Sequence, residues 1–274
     1  MKRVRKAVFP VAGLGTRFLP VTKAMPKELL PIINKPLIQY AVEEAISAGV
    51  DTLIFITGRN KRAIEDHFDD NSELKNILKN RKPDFDYEKA LNTLPSNVQC
   101  VFLRQASPLG LGHAVLCAER VVGTEPFAVL LADDFITHDE GDGVTADLVS
   151  SYQITGKSQV SYQKVDGPDI SKYGVLKLDP SSNEVIGIAE KPSFENAPSN
   201  LAAIGRYVLS PEVFEELRKI RPDSGGEIQL SDALNEQAIK EKLEGVKVFG
   251  NRFYCGTSDG YLEAILHSAR SIGK

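Results

Sequence analysis

Strand-like and helix-like segments alternate along the first half of this chain. Short apolar runs predict buried strands at 7–12, 52–57, 98–104 and 127–132. Apolar residues at helical spacing predict helices between them, at 36–48, near 61–68 and at 113–122. Pro36 at the start of the first helix and Gly49 after its end are typical of those positions. The alternation predicts an α/β domain with a largely parallel sheet.

The second half is predicted to complete this domain. The polar stretch 69–97 is expected to form a helical insertion on the surface. Residues 159–209 are richer in short strands and turns and are expected to form a subdomain over the open edge of the sheet. Further helices are predicted at 211–219, 230–242 and 259–271. We see no repeat or linker that would divide the chain.

Positive charge is concentrated at the amino end. Residues 1–35 hold eight Lys or Arg and one acidic residue, Glu28, although the whole chain has a net charge of −4. The overall negative charge argues against duplex nucleic acid or an anionic membrane as the main partner. A local cluster of cations in an acidic protein is suited to a small polyanion.

The cysteines and the apolar runs predict a cytoplasmic protein. Cys100, Cys117 and Cys255 are far apart and form no C-x-x-C pair, which argues against a disulfide framework or a zinc knuckle. No apolar stretch approaches the ~20 residues that cross a bilayer. The apolar run 7–12 contains Pro10 and ends without a cleavable small-residue site, so we expect no signal peptide.

The first predicted strand runs into a glycine-rich segment. Gly13 and Gly15 can present backbone N–H groups to phosphate oxygens, because neither residue has a Cβ. Thr16 adds a hydroxyl donor, and Arg17 and Lys27 add positive charge. The P-loop pattern is absent, and the dinucleotide fingerprint has phenylalanine in place of its third glycine. A nicotinamide-dependent dehydrogenase is therefore disfavoured.

The segment from Pro10 to Pro31 resembles the signature of the sugar-phosphate nucleotidyltransferases, most closely the bacterial UTP–glucose-1-phosphate uridylyltransferases. The resemblance continues in order over essentially the whole chain, in short motifs at 104–105, 110–114, 132–134, 172–175, 190–192, 197–201, 205–207 and 227–233. Each motif is short, but the ordered set is specific. It implies a Rossmann-like nucleotidyltransferase fold, with a mixed, mostly parallel central sheet flanked by helices and a small β-rich subdomain on the substrate side.

The resemblance also implies an organisation and a reaction. One domain would span 1–274, with a nucleotide-binding part at about 1–158 and a sugar-phosphate-binding part with the C-terminal helices at about 159–274. The enzyme would transfer a uridylyl group from UTP to α-D-glucose 1-phosphate, giving UDP-glucose and pyrophosphate by Mg²⁺-assisted in-line attack. The resemblance further implies a homo-oligomer, either a dimer or a tetramer.

For the nucleotide, the resemblance implies six binding residues: Ala12, Gly13, Gly15, Thr16, Gln105 and Gly110. The Gln105 amide follows a predicted strand and offers a donor and an acceptor to a uracil edge, or it caps nearby backbone. The glycines around Leu111 would let a base lie flat, or they simply lead into the next helix. His113 is expected to cap or pack rather than catalyse.

For catalysis, the resemblance implies Arg17 and Lys27 on the triphosphate, Asp133 on Mg²⁺ and Lys191 on the sugar phosphate. Asp133 follows a predicted strand, at the edge where open α/β sheets bind ligands. Carboxylates with phosphate oxygens and water are the ligands that Mg²⁺ prefers. Asp134 is either a sugar ligand or an exposed N-cap.

For the sugar, the implied binding residues are Asp134, Gly174, Glu190 and Lys191. By residue type alone, a Glu-Lys pair in a turn also suits a solvated ion pair. One position departs from the family, since Tyr254 stands where an Asp that supports metal binding is usual. A neutral phenol is a poor Mg²⁺ ligand.

Two alternatives therefore stay open. The chain could act as another sugar-1-phosphate nucleotidyltransferase, such as a thymidylyltransferase. It could instead be a weakly active or non-catalytic UDP-sugar-binding relative, because of Tyr254.

Overall fold

The computed structural model describes residues 2–81, 86, 91, 93–138 and 141–272, and its centre is a nine-stranded sheet. Within these residues the strands are β1 (Lys6–Pro10), β2 (Pro31–Ile32), β3 (Lys35–Pro36), β4 (Thr52–Thr57), β5 (Gln99–Arg104), β6 (Phe127–Leu130), β7 (Asp134–Thr137), β8 (Ser158–Lys164), β9 (Gly174–Leu178), β10 (Val185–Glu190), β11 (Leu201–Leu209), β12 (Leu243–Lys247) and β13 (Asn251–Tyr254). The helices are α1 (Leu37–Ser47), α2 (Arg62–Phe68), α3 (Ser72–Arg81), α4 (Gly110–Cys117), α5 (Glu119–Val122), α6 (Val144–Thr155), α7 (Val213–Leu217), α8 (Leu230–Ile239) and α9 (Ser258–Ile272).

The central sheet is mixed. Its strand order is β10-β9-β11-β6-β1-β4-β5, and β8 pairs with both β11 and β12. Strands β5, β4, β1 and β6 run parallel, and β11 joins β6 in the antiparallel sense. The predicted α/β class is confirmed. The short strands predicted for 159–209 extend this sheet instead of covering its edge, because β6 would otherwise leave backbone hydrogen-bonding groups unpaired.

Buried aromatic side chains tie the parallel strands together. Phe9, Phe55 and Phe102 are register partners on β1, β4 and β5, and their neighbouring rings stack at 5.1 Å. Phe68 on α2 stacks on Phe55 at 5.0 Å from above the sheet. Each such pair contributes about 0.5–1.5 kcal/mol beyond its buried area. These contacts make the sheet a rigid base for the loops at its carboxyl edge.

Helices cover both faces of the sheet. Alternate residues of β1 enter different apolar clusters: Phe9 packs with residues of α1 and α6, and Val8 packs with residues of α4, α7 and α8. The predicted first helix is confirmed, beginning at Leu37 directly after Pro36 and ending before Gly49, which has a φ of +90°. The structure also confirms the helices predicted near 61–68, 211–219, 230–242 and 259–271, with ends shifted by a few residues.

Two predicted segments differ from the structure. The helix predicted at 113–122 starts at Gly110 and is interrupted at Ala118, giving α4 and α5. In the stretch 69–97, α3 provides the predicted helix, while residues 82–85, 87–90 and 92 lie outside the described residues. Across the described part of the chain, no helix is both long and apolar enough to cross a membrane.

Candidate active site

The glycine-rich loop leaves the carboxyl end of β1. At the start of the loop, Val11 N donates a 3.0 Å hydrogen bond to Ile56 O on β4. Gly15 has a φ of +68°, and its carbonyl accepts a 2.7 Å hydrogen bond from the Thr22 hydroxyl. The positive φ favours glycine, and a β-carbon there would also lie close to Thr22 Cγ2, at 3.2 Å. Thr16 begins an exposed 3-10 turn just after it.

The first pocket lies beside this loop. It has a volume of about 230 Å³ and is lined by Pro10, Ala12, Gly13, Gln105, Pro108, Gly110, Leu111, Ala114 and Glu227. Four of the six residues predicted to bind a nucleotide therefore line one cavity. Gly15 and Thr16 are not among its lining residues, and Gly15 acts on the loop's conformation.

Gln105 is held in a fixed orientation in the first pocket. Its Nε2 donates to Gly110 O at 3.1 Å and to His113 Nδ1 at 2.9 Å. Both amide hydrogens are therefore used, and His113 must accept through Nδ1 because Nε2 of an amide can only donate. Within the described residues, the amide oxygen Oε1 is the group of Gln105 that remains to accept a hydrogen bond from a ligand.

A second chain segment fills the space above the two glycines of α4. Gly112 N donates to Ile228 O at 2.8 Å, and Ile228 N donates to Leu109 O at 2.8 Å. A β-carbon on Gly110 would lie 2.8 Å from Glu227 Cβ and Ile228 O, and one on Gly112 would lie 2.8 Å from the same oxygen. These glycines therefore admit the backbone of 227–229, a tertiary contact that the sequence alone did not predict.

The second pocket adjoins the first. Its volume is about 250 Å³, and it is lined by Leu111, Leu131, Asp134, Lys172, Gly174, Ile188, Glu190, Lys191, Ala203, Gly205, Tyr207, Glu227, Gln229, Leu230, Ser231, Leu234 and Tyr254. It contains all four residues predicted to bind a sugar. Leu111 and Glu227 line both pockets, so a ligand can extend from one into the other.

Glu190 and Lys191 lie at the end of β10 and contact each other. Lys191 Nζ lies 2.8 Å from Glu190 Oε1, and the lysine side chain is 56% exposed. Burial lowers the pKa of Lys191, but its contact with Glu190 outweighs this and raises it above its ordinary value. Lys191 has a φ of +41°, a left-handed conformation that costs of order 1 kcal/mol in a residue with a side chain. Gly174 is the register partner of Glu190.

Lys27 and Asp133 form an ion pair beside the pockets. Lys27 Nζ lies 2.6 Å from Asp133 Oδ2, and both side chains are more than three-quarters buried. Burial lowers the pKa of Lys27, but attraction to Asp133 and Glu28 outweighs it and raises the pKa. Burial also raises the pKa of Asp133, yet Lys27 holds it below its ordinary value. Both groups are therefore charged at neutral pH.

The 3-10 turn that carries Lys27 is anchored by a buried ion pair. Glu28 Oε2 lies 2.7 Å from Lys61 Nζ, and the two side chains are 2% and 6% exposed. Burial raises the pKa of Glu28 even though Lys61 and Lys27 oppose it. Glu28 is the one acidic residue of the basic segment 1–35, and this is the sequence signal that could have identified it as a structural residue of the site.

Asp134 is buried, which corrects the prediction that it could be an exposed N-cap. It begins β7, is 4% exposed, and its Oδ2 accepts from Gly205 N at 2.9 Å. Its Oδ1 accepts from Arg252 Nε at 2.6 Å and forms a salt bridge with that guanidinium. The reason is packing: Gly205 has no side chain, and Asp134 Oδ2 fills the place that a β-carbon would take.

Arg17 reaches the second pocket through Tyr254. Arg17 Nη1 donates to the Tyr254 hydroxyl at 2.9 Å, a pairing of residues 237 positions apart. The Tyr254 ring lies 5.2 Å from the guanidinium of Arg252 and lines the second pocket. The sequence marked Tyr254 as a departure from the family, but it did not predict this link or the roles of His113 and Arg252 in orienting Gln105 and Asp134.

The carboxylates present fit one particular kind of metal site. Among the described residues, no three His, Cys, Asp or Glu side chains lie together as a metal cage. Asp133 is ionised, and its Oδ2 is bound by Lys27. This donor set fits a Mg²⁺ ion that takes one protein carboxylate and completes its shell with substrate phosphate oxygens and water. It does not fit an ion held by protein side chains alone.

Comparison with known proteins gives consistent matches over nearly the whole chain. Residues 6–271 match the nucleotidyl transferase family. A UTP–glucose-1-phosphate uridylyltransferase of Bacillus subtilis is 47% identical over 266 residues, which is 96% of this chain and 89% of that protein.

Solved structures agree with this match. A UDP-glucose pyrophosphorylase complexed with UDP-glucose is 42% identical, superposes with a TM-score of 0.88, and is matched over 98% of this chain and 99% of that one. A UTP-bound UDP-glucose pyrophosphorylase of Acinetobacter baumannii is 39% identical with a TM-score of 0.88, over 97% and 93% of the two chains.

Proposed function

This chain belongs to the nucleotidyl transferase family, and from that premise we propose that it transfers a uridylyl group from UTP to α-D-glucose 1-phosphate. The products are UDP-glucose and pyrophosphate. Its relatives at 39–47% identity carry the name of this activity and include chains solved with UDP-glucose and with UTP.

The observation that carries the proposal is the adjacency of the two pockets. Leu111 and Glu227 line both of them, so one nucleotide sugar can occupy both cavities at once. The first pocket takes the base, and the second takes the hexose. The acidic net charge of the chain argues against duplex nucleic acid as the substrate.

Gln105 supports uracil as the base. Its Oε1 is the free acceptor, since His113 and Gly110 use both amide hydrogens. The N3–H of uracil is a donor that pairs with this oxygen, whereas N3 of cytosine is an acceptor and is repelled. Thymine has the same N3–H, so this contact favours UTP and dTTP equally over CTP.

The chemistry requires no general base. An oxygen of the glucose 1-phosphate attacks the α-phosphorus of UTP, the new O–P bond forms as the bond to the β-phosphate oxygen breaks, and pyrophosphate leaves with the electron pair. The nucleophile is already largely ionised at pH 7, because a phosphomonoester has a second pKa near ~6. The barrier comes from bringing anions together and from charge on the leaving group, which positioned cations lower.

This chain supplies three such cations and one metal ligand. Arg17 and Lys27 bind the triphosphate, and Lys191 binds the sugar phosphate. Asp133 would hold Mg²⁺, which supplies charge neutralisation on the phosphates when it is bound. Glu190 and Gly174 face the hexose, and Asp134 shapes the same wall. The raised pKa values of Lys27 and Lys191 keep both side chains cationic at neutral pH.

The test is a pyrophosphate-release assay of the purified chain with Mg²⁺. The nucleotide panel is UTP, dTTP, CTP, ATP and GTP, and the sugar panel is glucose 1-phosphate and galactose 1-phosphate. We expect turnover to be highest with UTP and glucose 1-phosphate. Higher turnover with dTTP would assign a thymidylyltransferase instead.

A second candidate function follows from Tyr254. A chain that binds UDP-glucose without turnover would be a non-catalytic relative, and Tyr254→Asp would then create activity. Binding of UDP-glucose by calorimetry, alongside the release assay on both proteins, separates the two functions. Turnover by the unsubstituted chain excludes the second.

We propose a cytoplasmic homo-oligomer, a dimer or a tetramer, with one nucleotidyltransferase domain whose parts meet near residue 158. Exposed Leu262 and Leu266, one turn apart on α9, support a contact between copies. Light scattering of the protein as it elutes from a size-exclusion column measures its molar mass and so the number of subunits.

A further inference from the structure

The ring of Tyr254 is fixed in place. Tyr254 is the last residue of β13 and is the register partner of Asp134 on β7. The ring lies over Gly256, where any β-carbon would collide with it. On another side it contacts Arg252, whose guanidinium lies 5.2 Å from the Tyr254 ring and 4.9 Å from the Tyr173 ring. The hydroxyl at the end of this ring therefore has a defined position.

The Tyr254 hydroxyl uses only part of its hydrogen-bonding capacity. It accepts a hydrogen bond from Arg17 Nη1 at 2.9 Å, and this is its one hydrogen bond in the described part of the chain. A phenolic hydroxyl can accept and donate at the same time. Since Arg17 can only donate, the proton of Tyr254 is free to be donated to a ligand.

The hydroxyl also lies among the groups proposed to bind phosphate. Tyr254 lines the second pocket with Lys191, and Arg17 belongs to the loop beside the first pocket. The phenol thus binds one of the proposed triphosphate cations, Arg17, and lines the same pocket as the proposed sugar-phosphate cation, Lys191.

We propose that Tyr254 is a catalytic residue of this reaction, which orients Arg17 through its hydroxyl oxygen and donates its hydroxyl hydrogen to an oxygen of the phosphoryl group being transferred. This inference rests on the proposed function. No proton leaves the phenol, and no covalent bond to it forms. The donor is neutral and fixed before the substrates arrive, so it stabilises developing charge without reorganising.

The first test replaces Tyr254 by phenylalanine. This change keeps the ring, its contact with Arg252 and its position over Gly256, and removes the acceptor and the donor together. We expect kcat to fall by about 10²-fold, since one preorganised donor contributes about 10²–10³ in rate. We expect KM for UTP and for glucose 1-phosphate to stay within about threefold, because the bond strengthens in the transition state.

Tyr173→Phe is the matched control. Its ring contacts the same guanidinium and its hydroxyl accepts from Arg252 at 3.0 Å, but Tyr173 is not among the residues lining either pocket. We expect it to keep kcat within about threefold of the unsubstituted enzyme. Calorimetric binding of UDP-glucose and thermal melting, measured on both variants, separate a lost donor from a lost fold.

Arg17→Ala separates the two parts of the proposal. If Tyr254 donates to the substrate, adding Tyr254→Phe to Arg17→Ala lowers kcat again, by at least about threefold. No further loss in the double variant would mean that Tyr254 acts through Arg17 alone, and would overturn the donation.

An unchanged kcat in Tyr254→Phe would overturn the whole inference while leaving the proposed function intact. Absence of turnover in the unsubstituted chain, with every substrate pair of the panel, would overturn both.

Discussion

Arg206 is the buried residue that holds the turn carrying Asp133, and Arg206→Met tests this arrangement. Its side chain is 2% exposed, and Nη1 and Nη2 donate to the carbonyls of Leu131 and Asp134 at 2.9 and 3.0 Å. Nε and Nη2 are bound by the carboxylate of Glu44, with the closest contact at 2.9 Å. Methionine keeps most of the length of the side chain and removes every donor.

The expected loss of stability follows from what is left behind. Glu44 stays buried, and the pKa of its carboxyl, which burial raises, is held below its ordinary value by Arg206 and Thr145. Breaking a buried pair by removing one partner costs about 3–5 kcal/mol. With an unfolding entropy of about 2.1 cal/mol/K per residue, this lowers the Tm of a 274-residue chain by about 5–9 °C.

The assay is a double-mutant cycle in urea and by calorimetry. Glu44→Gln removes the charge but keeps an oxygen for the two hydrogen bonds that Thr145 donates at 3.0 and 2.7 Å. In the Glu44→Gln background we expect Arg206→Met to cost at least about 1.5 kcal/mol less than in the unsubstituted chain, because no charge is stranded. Additive effects, or a cost below about 1 kcal/mol for Arg206→Met alone, would refute this reasoning.

Three further predictions concern the site. Lys27→Ala should lower kcat by about 10²–10³, while Lys23→Ala, an exposed lysine of the same loop, should leave it nearly unchanged in the pyrophosphate assay. Gly110→Ala should lower the free energy of unfolding by about 2–4 kcal/mol, through its φ of +92° and the collision with 227–229. Gly123→Ala meets open space but keeps a backbone conformation (φ +68°, ψ −130°) that residues with a side chain rarely adopt, so it should cost less, about 1–3 kcal/mol, in chemical denaturation. The stability gained from Lys27 and Asp133 should be constant near neutral pH, since the pKa of Lys27 is raised and that of Asp133 is lowered. The measurement is the difference in Tm between the unsubstituted chain and Lys27→Met as a function of pH. This difference should shrink as the pH falls below about 4 and as it rises above about 10. A Tm difference that stays constant over the whole range would contradict the pairing.

Local signals in the sequence were sufficient for most elements. Thr52–Thr57 is a continuous run of apolar and β-branched residues, and the strand has the predicted bounds. The first helix lies between Pro36 and Gly49 because the fixed φ of one and the freedom of the other act on neighbouring bonds only. For the region 159–209, the sequence predicts short strands but places them over the open edge of the sheet, whereas they extend the sheet itself. A strand's partner depends on residues far away in the chain.

Individual site residues show the same division between what the local sequence predicts and what distant residues decide. The sequence identified Gln105 as a base-reading amide, but its orientation depends on His113 and on Gly110 O. The glycines of α4 stood out as a motif, while the segment that they admit comes more than a hundred residues later. The link from Arg17 to Tyr254 had no signal in either segment.

By itself, the sequence determined the α/β class, the order of most elements and the residue types suited to a nucleotide sugar. These follow from periodicity, from turn residues and from the ordered motifs, which are properties of short segments. Only the tertiary structure decided that Glu28 meets Lys61, that Asp134 is buried against Arg252, and that Leu111 and Glu227 join two pockets. The physical reason is that a short segment sets its own backbone conformation and its own charge. The burial, partner and pKa of a side chain are set by whatever distant segment packs against it.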